Sequence, residues 1–261
     1  MAKRRVKRRL KKRFMIVLIV FMIALLYIFT SAVKGVSIAS MGRSSQANIL
    51  NEENNNETQD ENLEKKKTFD GKPVIVIDAA FGGEYAGSKG VDNILQKDIN
   101  LDIALKVEKV LKRYDDIDVF LTRSDDSTVS YEQRINLIKD KKANVVVSIQ
   151  QNTEGSGTAE GIETYVLSKE SYENADSSLG YAVQKAMGMY STAVDRGVMV
   201  RNIDILKDSY TSGAIGAVIY TGFITNKKES ANLTSDKYTS KLAEGIAQGI
   251  LSYVDKKLLE D

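Results

Sequence analysis

From Pro73 to the C-terminus, short apolar runs alternate with stretches striped at helical spacing, and this alternation restricts the fold more than any other feature. The runs 74–77, 118–121 and 144–149 read as strands. Val145, Val146 and Val147 in succession mark a strand covered on both faces. Residues 161–167 (GIETYVL) alternate and read as another strand, and 217–220 as a further one. Between them, Ile99, Ile103, Val107, Val110 and Leu111 fall on one helix face, and 178–190 is helical. Leu242, Ile246, Ile250, Val254 and Leu258 stripe a closing helix. Ser130 and Gln133 stand at capping-box spacing before Ile135 and Ile138, which face inward. Strands separated by helices predict one α/β domain, residues 71–261, with a mainly parallel central sheet flanked by helices.

The N-terminus carries a different signal. Nine of the first thirteen residues are Lys or Arg, and residues 14–33 (FMIVLIVFMIALLYIFTSAV) then run without a charge. At ~1.5 Å per residue this run makes a helix of ~30 Å, the thickness of a bilayer's hydrocarbon core. The basic tail, 1–13, holds its flank on the cytoplasmic side, so the expected arrangement is a single-pass anchor with the domain outside the cell membrane. A cleavable signal peptide shares the basic flank, but its apolar region spans only ~7–15 residues and ends in small residues. Here the run is longer, and Ser37, Ala39 and Ser40 are poorly placed for cleavage.

Residues 34–70 are polar and almost free of aromatics, most clearly in NEENNNETQDENLEKKKTFD. Such a stretch has too little apolar surface to offset the entropy of ordering, and it reads as a disordered tether with an average span of ~30–36 Å. Asn56-Glu57-Thr58 matches a glycosylation sequon, a short pattern that says little alone. The 261-residue chain has 37 bases and 35 acids; without the nine bases of the tail, 28 remain against 35, a net charge of about −7. That balance argues against nucleic acid as a partner.

There is no histidine and no cysteine. Disulfides are therefore absent, and Ser–His–Asp and Cys–His nucleophilic mechanisms are excluded. The only S-x-x-K spacing, Ser31 to Lys34, lies at the end of the apolar run, where no cleft is expected.

Several segments together resemble the zinc-dependent N-acetylmuramoyl-L-alanine amidases, which cleave peptide stems from the glycan strands of peptidoglycan. VIVIDAAFGGEYAG (74–87) is similar to that family's opening strand and I-D-P-G-H-G-G loop, and QKDINLDIALKVEKVLK (96–112) to its E-K-D-x-N-L helix. VFLTRSDDSTVSYEQR (119–134) resembles its T-R…D…L-x-x-R stretch, with Tyr131 in place of Leu, and VVSIQQN (146–152) its S-I-H-A-N strand end. GIETYVL (161–167), RGV (196–198) and VIYTGFITN (218–226) match later landmarks in order. The resemblance implies the amidase fold from about Pro73 onward and a place in a bacterial cell envelope.

It also implies where the chemistry should sit, and there the chain differs. Phe81 and Gln150 occupy the positions of two zinc-binding His residues, Gln96 that of the metal-binding Glu, and Tyr220 that of the Glu serving as general base. Phenylalanine has no donor atom, and a glutamine carbonyl is a neutral, hard ligand poorly suited to zinc. A phenol with a reference pKa of ~10 is a poor base for water. The expectation is no metal, no cofactor and no catalytic residue. The role is then binding of peptidoglycan, or regulation of an envelope enzyme or assembly. A residual or altered amidase and a purely structural protein-interaction domain are the alternatives.

Individual residues keep two readings each. Phe81 either plugs the vacated metal pocket or contacts a partner. Gln96 and Gln150 either bond to each other across it or touch a ligand. Arg134 and Arg196 either pair with acids or meet stem-peptide carboxylates, and Asn152 either lines the cleft or closes a turn. Asp78, Glu84, Asp98 and Glu163 either gather into a calcium or magnesium site or serve as loop and capping acids.

Overall fold

The computed structural model describes residue 69 and residues 71–259. The tail at 1–13, the apolar run at 14–33 and nearly all of the tether lie outside the described residues, among which no helix is long and apolar enough to cross a membrane. Phe69, two residues before the expected domain start, packs into the core.

Six strands form one sheet: β1 (Val74–Ala79), β2 (Asp118–Leu121), β3 (Val145–Asn152), β4 (Ile162–Val166), β5 (Asp195–Val200) and β6 (Ile215–Phe223). Their order is β2-β1-β3-β6-β4-β5. Four of the neighbouring pairs are parallel and one, β4 with β6, is antiparallel. The sheet is therefore mainly parallel, as the sequence suggests, with one antiparallel pair that makes it mixed. The reason is visible in the chain: only residues 153–161 separate β3 from β4. A parallel crossover takes a dozen or more residues, so the chain turns back instead.

The helices are α1 (Gln96–Leu111), α2 (Tyr131–Asp140), α3 (Ser178–Tyr190), α4 (Asp204–Thr211), α5 (Lys227–Leu233) and α6 (Asp236–Leu259). The stripe Ile99, Ile103, Val107, Val110 and Leu111 is buried with Ile75, Ile77, Val145 and Val147 on one sheet face, together with residues of α3 and α6. Ile135 and Ile138 of α2 and Ile205 and Leu206 of α4 cover Val76, Val146 and Val218 on the other. The α2 capping box forms as its spacing predicts: Gln133 N donates to Ser130 Oγ (3.2 Å) and Ser130 N to Gln133 Oε1 (2.8 Å). In the closing helix Leu242 to Val254 follow the expected stripe, but Leu258 is exposed, one turn past the core.

Helices α3 and α6 approach closely through glycines. A Cβ at Gly249 would lie 2.4 Å from Val183 Cα, whereas one at Gly188 would meet only Asp195 Oδ2, at 3.8 Å. Alanine is the better helix former by ~1 kcal/mol, but over-packing a tight contact costs ~1–3 kcal/mol. Gly249→Ala is therefore expected to lower stability and Gly188→Ala to leave it equal or higher, as read from urea midpoints of the full-length chain.

Candidate functional site

β1 runs into a loop at the carboxyl ends of the parallel strands, the edge where open α/β sheets hold ligands. The loop's carbonyls are individually tied down. Ala79 O accepts from Arg123 Nε (3.0 Å) and Arg134 Nη1 (2.9 Å), Ala80 O from Asn100 Nδ2 (2.8 Å), and Phe81 O from Arg134 Nη2 (2.7 Å). Gly83 O accepts from Lys97 Nζ (2.9 Å), and Gly83 N donates to Asp126 Oδ1 (2.9 Å). This fixing lets Phe81 hold a left-handed backbone, φ 64°, which is unfavourable for a bulky side chain.

Phe81 is half-buried and lines an open cleft of about 450 Å³ together with Gln150 of β3. Tyr85, Tyr131 and Ile203 complete its mouth. Gln96, at the start of α1, lies beside Phe81: a Cβ at Gly87 would come within 2.5 Å of Gln96 Oε1 and 2.8 Å of Phe81 Cδ2. Gln150 faces Tyr220 across the β3–β6 ladder. The four positions at which the resemblance implies the zinc and the base therefore converge at the strand ends.

Gln96 and Gln150 do not bond to each other. The buried Gln96 amide is engaged at both ends by the main chain: Oε1 accepts from Ser88 N (2.8 Å) and Nε2 donates to Gln151 O (2.5 Å). The half-buried Gln150 amide has no hydrogen-bond partner among the described residues. Tyr220 packs edge-on against Tyr165, with ring centroids 5.2 Å apart. Burial holds its phenol above the ordinary range, with Arg201 opposing and Glu163 adding to the shift.

The charged residues separate into two pairs. Asp78 is buried and accepts from Arg134 Nη1 (2.5 Å), Ser148 Oγ (2.7 Å) and Thr122 Oγ1 (2.8 Å). Glu163, also buried, accepts from Arg196 Nε (2.5 Å), Tyr165 OH (2.8 Å) and Asn152 Nδ2 (3.0 Å). Asn152 of β3 and Arg196 of β5 thus meet on Glu163 of β4, the residue paired with Tyr220, and do not line the cleft. The acid-pairing reading holds for both arginines. Among the described residues no three of His, Cys, Asp and Glu come together as they would around a metal ion. Asp78, Glu84, Asp98 and Glu163 accordingly do not gather into one cluster.

The sequence profile of the N-acetylmuramoyl-L-alanine amidases matches residues 75–252. The chain belongs to that family. It is 33% identical over 188 residues to YqiI of Bacillus subtilis (strain 168), covering 72% of this chain and 87% of YqiI. It is 31% identical over 181 residues to the N-acetylmuramoyl-L-alanine amidase LytC of the same organism. That match covers 69% of this chain and 35% of LytC, so the chain spans about a third of that relative. Among solved structures, the catalytic domain of the amidase CwlV from Bacillus (Paenibacillus) polymyxa var. colistinus superposes with a TM-score of 0.64 at 33% identity. It covers 70% of this chain and 98% of that domain.

Two features of this amidase-family cleft are not signalled by the sequence. Arg123, part of the T-R motif, is buried and ties Ala79 to Lys97, whose carbonyl accepts from Arg123 Nη2 at 2.7 Å. Tyr131, in place of Leu, donates its hydroxyl to Asp208 and so bridges α2 to α4 at the cleft mouth. Aspartate and tyrosine lie 77 residues apart, and only the folded chain brings them together.

Proposed function

We propose that this amidase-family domain binds peptidoglycan at the bacterial cell envelope without hydrolysing it. The observation that carries the reading is Gln96. At the position where the resemblance implies a metal-binding carboxylate stands a neutral amide, with its oxygen and nitrogen both committed to the main chain. The remaining donor set is a phenyl ring at Phe81 and a second neutral amide at Gln150, and these residues do not fit a zinc ion. Gln151 Oε1, a buried acceptor at this strand end without a partner among the described residues, is again a neutral carbonyl. Tyr220 is a phenol, protonated at neutral pH with an ordinary pKa of ~10 that burial raises further, and is no base for water. Deleting metal and base together removes most of a rate enhancement that is typically at least ~10⁶-fold.

Binding is supported by the cleft itself, which persists as an open site of ordinary ligand-pocket size. The full-length protein is expected to co-sediment with purified peptidoglycan sacculi; failure to do so removes this reading and leaves a protein-interaction domain. An active amidase is the second reading, favoured by the 31% identity to LytC.

We place the domain outside the cell membrane, on the strength of the basic tail and the uncharged run 14–33. Protease added to intact, wall-stripped cells is then expected to remove the domain. Its protection, or recovery of a soluble product beginning near Ser37, contradicts the anchor.

A further inference from the structure

We infer that β5 is the edge of a homodimer: two copies of this chain pair antiparallel through Val198 and Val200, with their α3 helices side by side on one face. The surface shares no residue with the cleft and stands apart from the reading above.

Helix α3 is covered on one side only. From Ser177 to Val194 the single charged residue is Lys185, whereas α1 carries six among its sixteen residues. A helix apolar on all sides is ordinarily buried. Here Leu179, Val183 and Met187 face the core, while the outer side leaves Tyr181 60% and Met189 73% exposed. Both line an open hollow of about 410 Å³ together with Gly197 and Val198 of β5. Val200, farther along the same strand, is 64% exposed.

β5 is the last strand of the sheet. Arg201 N donates to Val166 O (3.0 Å), and Val200 stands opposite Val166. In a parallel ladder alternate residues bond to the neighbour, so Met199 and Arg201 turn their main-chain groups to β4. Val198 and Val200 turn theirs outward. The register shift between Ile162 and Thr164 ends this row on one side, and β5 ends at Val200 on the other. Val198-Met199-Val200 carries no charge and no proline, the usual guards of an edge.

The row is symmetric about Met199, and this selects a second copy as the occupant. An antiparallel copy related by a two-fold axis at Met199 sets Val198 against the second copy's Val200 and Val200 against its Val198. Each pair then exchanges both main-chain bonds. The same axis passes α3 at Gly180, where a Cβ would lie 2.3 Å from Val166 Cγ1 and 3.6 Å from Val198 Cγ1. From there α3 runs opposite to β5, since Gln184 Nε2 donates to Asp195 Oδ1 (2.5 Å). Two antiparallel α3 helices meeting at Gly180 bring Tyr181 against its own copy. They also set Lys185 against the segment before the second copy's α3, where Glu173 is exposed beside Asp176. Ring meets ring and the one cation meets acids, so the face is complementary to itself.

The absence of cysteine gives a direct test. Met199 falls on the axis at a non-hydrogen-bonded position, where facing Cα atoms lie ~4.5 Å apart, inside disulfide reach. In the full-length protein in detergent, Met199→Cys is expected to form a disulfide-linked dimer on air oxidation. Leu105→Cys, at an exposed site on α1, should stay uncross-linked. Sedimentation equilibrium of the unaltered chain should show a dimer. Val200→Pro, which removes an outward N–H that β4 does not use, should raise its dissociation constant at least about tenfold. Tyr181→Glu, at an exposed ring, should do the same, and far-ultraviolet circular dichroism should show both variants folded. A monomer at every concentration overturns the inference and leaves the edge to a strand of another protein. A dimer that survives both substitutions, or equal cross-linking at 105 and 199, overturns it by placing the association elsewhere.

Discussion

The variant Phe81→His, Gln96→Glu, Gln150→His, Tyr220→Glu is expected to bind about one zinc per chain and to release peptide from peptidoglycan. The backbone that must hold the ligands is already fixed, since Arg123, Arg134, Asn100 and Lys97 fasten the loop around position 81. At φ 64° a histidine is also less strained than the phenylalanine it replaces. Gln96→Glu should be harmful by itself. It keeps the bond from Ser88 N but turns a donor toward Gln151 O into a second acceptor, at a cost of ~1–3 kcal/mol until a cation offsets it. The triple variant without Tyr220→Glu should bind zinc yet turn over ~10²–10⁴-fold more slowly, because it lacks the base. Elemental analysis and peptide release from sacculi separate these stages. A folded quadruple variant without zinc would mean that the strand ends have drifted from metal-binding geometry.

The second large effect is on stability. Asp78→Ala or Arg134→Ala leaves one buried charge without its partner and is expected to cost ~3–5 kcal/mol. Asp78→Ala also strands Ser148 Oγ and Thr122 Oγ1, and Arg134→Ala removes the side-chain donor to Phe81 O and leaves Ala79 O with Arg123 alone. Removing both should cost less than the sum of the single losses, because the second change removes a charge that the first left exposed to an apolar surrounding. Urea unfolding of the two single variants and the double variant gives the coupling. Additive losses would show that the pair does not act as a unit.

Much of the fold is legible in the sequence, for physical reasons that differ between elements. β3 and α1 are clear because valines in succession and a long apolar stripe leave few alternatives. β5 is not. Its sequence DRGVMV opens with charges, carries Gly197 at a register shift against β4, and lies at the sheet edge, where no alternation is imposed. α5 is seven residues long and depends on Asn226 Oδ1 accepting from Lys228 N and Glu229 N rather than on an apolar stripe. At the site, the residue types at 81, 96, 150 and 220 can be read directly. The partners of Gln96 cannot, since one is a carbonyl 55 residues away that carries no side-chain signature. The same holds for Arg196 and Asn152, whose shared attachment to Glu163 removes them from the cleft only once β4 is turned against β6.

The most direct measurement is peptide release from purified sacculi by the unaltered full-length protein, with zinc added and with a chelator added. New L-alanine amino termini should stay at the background of protein-free controls in both conditions, while the same preparation co-sediments with the sacculi. Release that zinc supports and the chelator abolishes would contradict a non-hydrolytic domain and assign this chain to the active amidases.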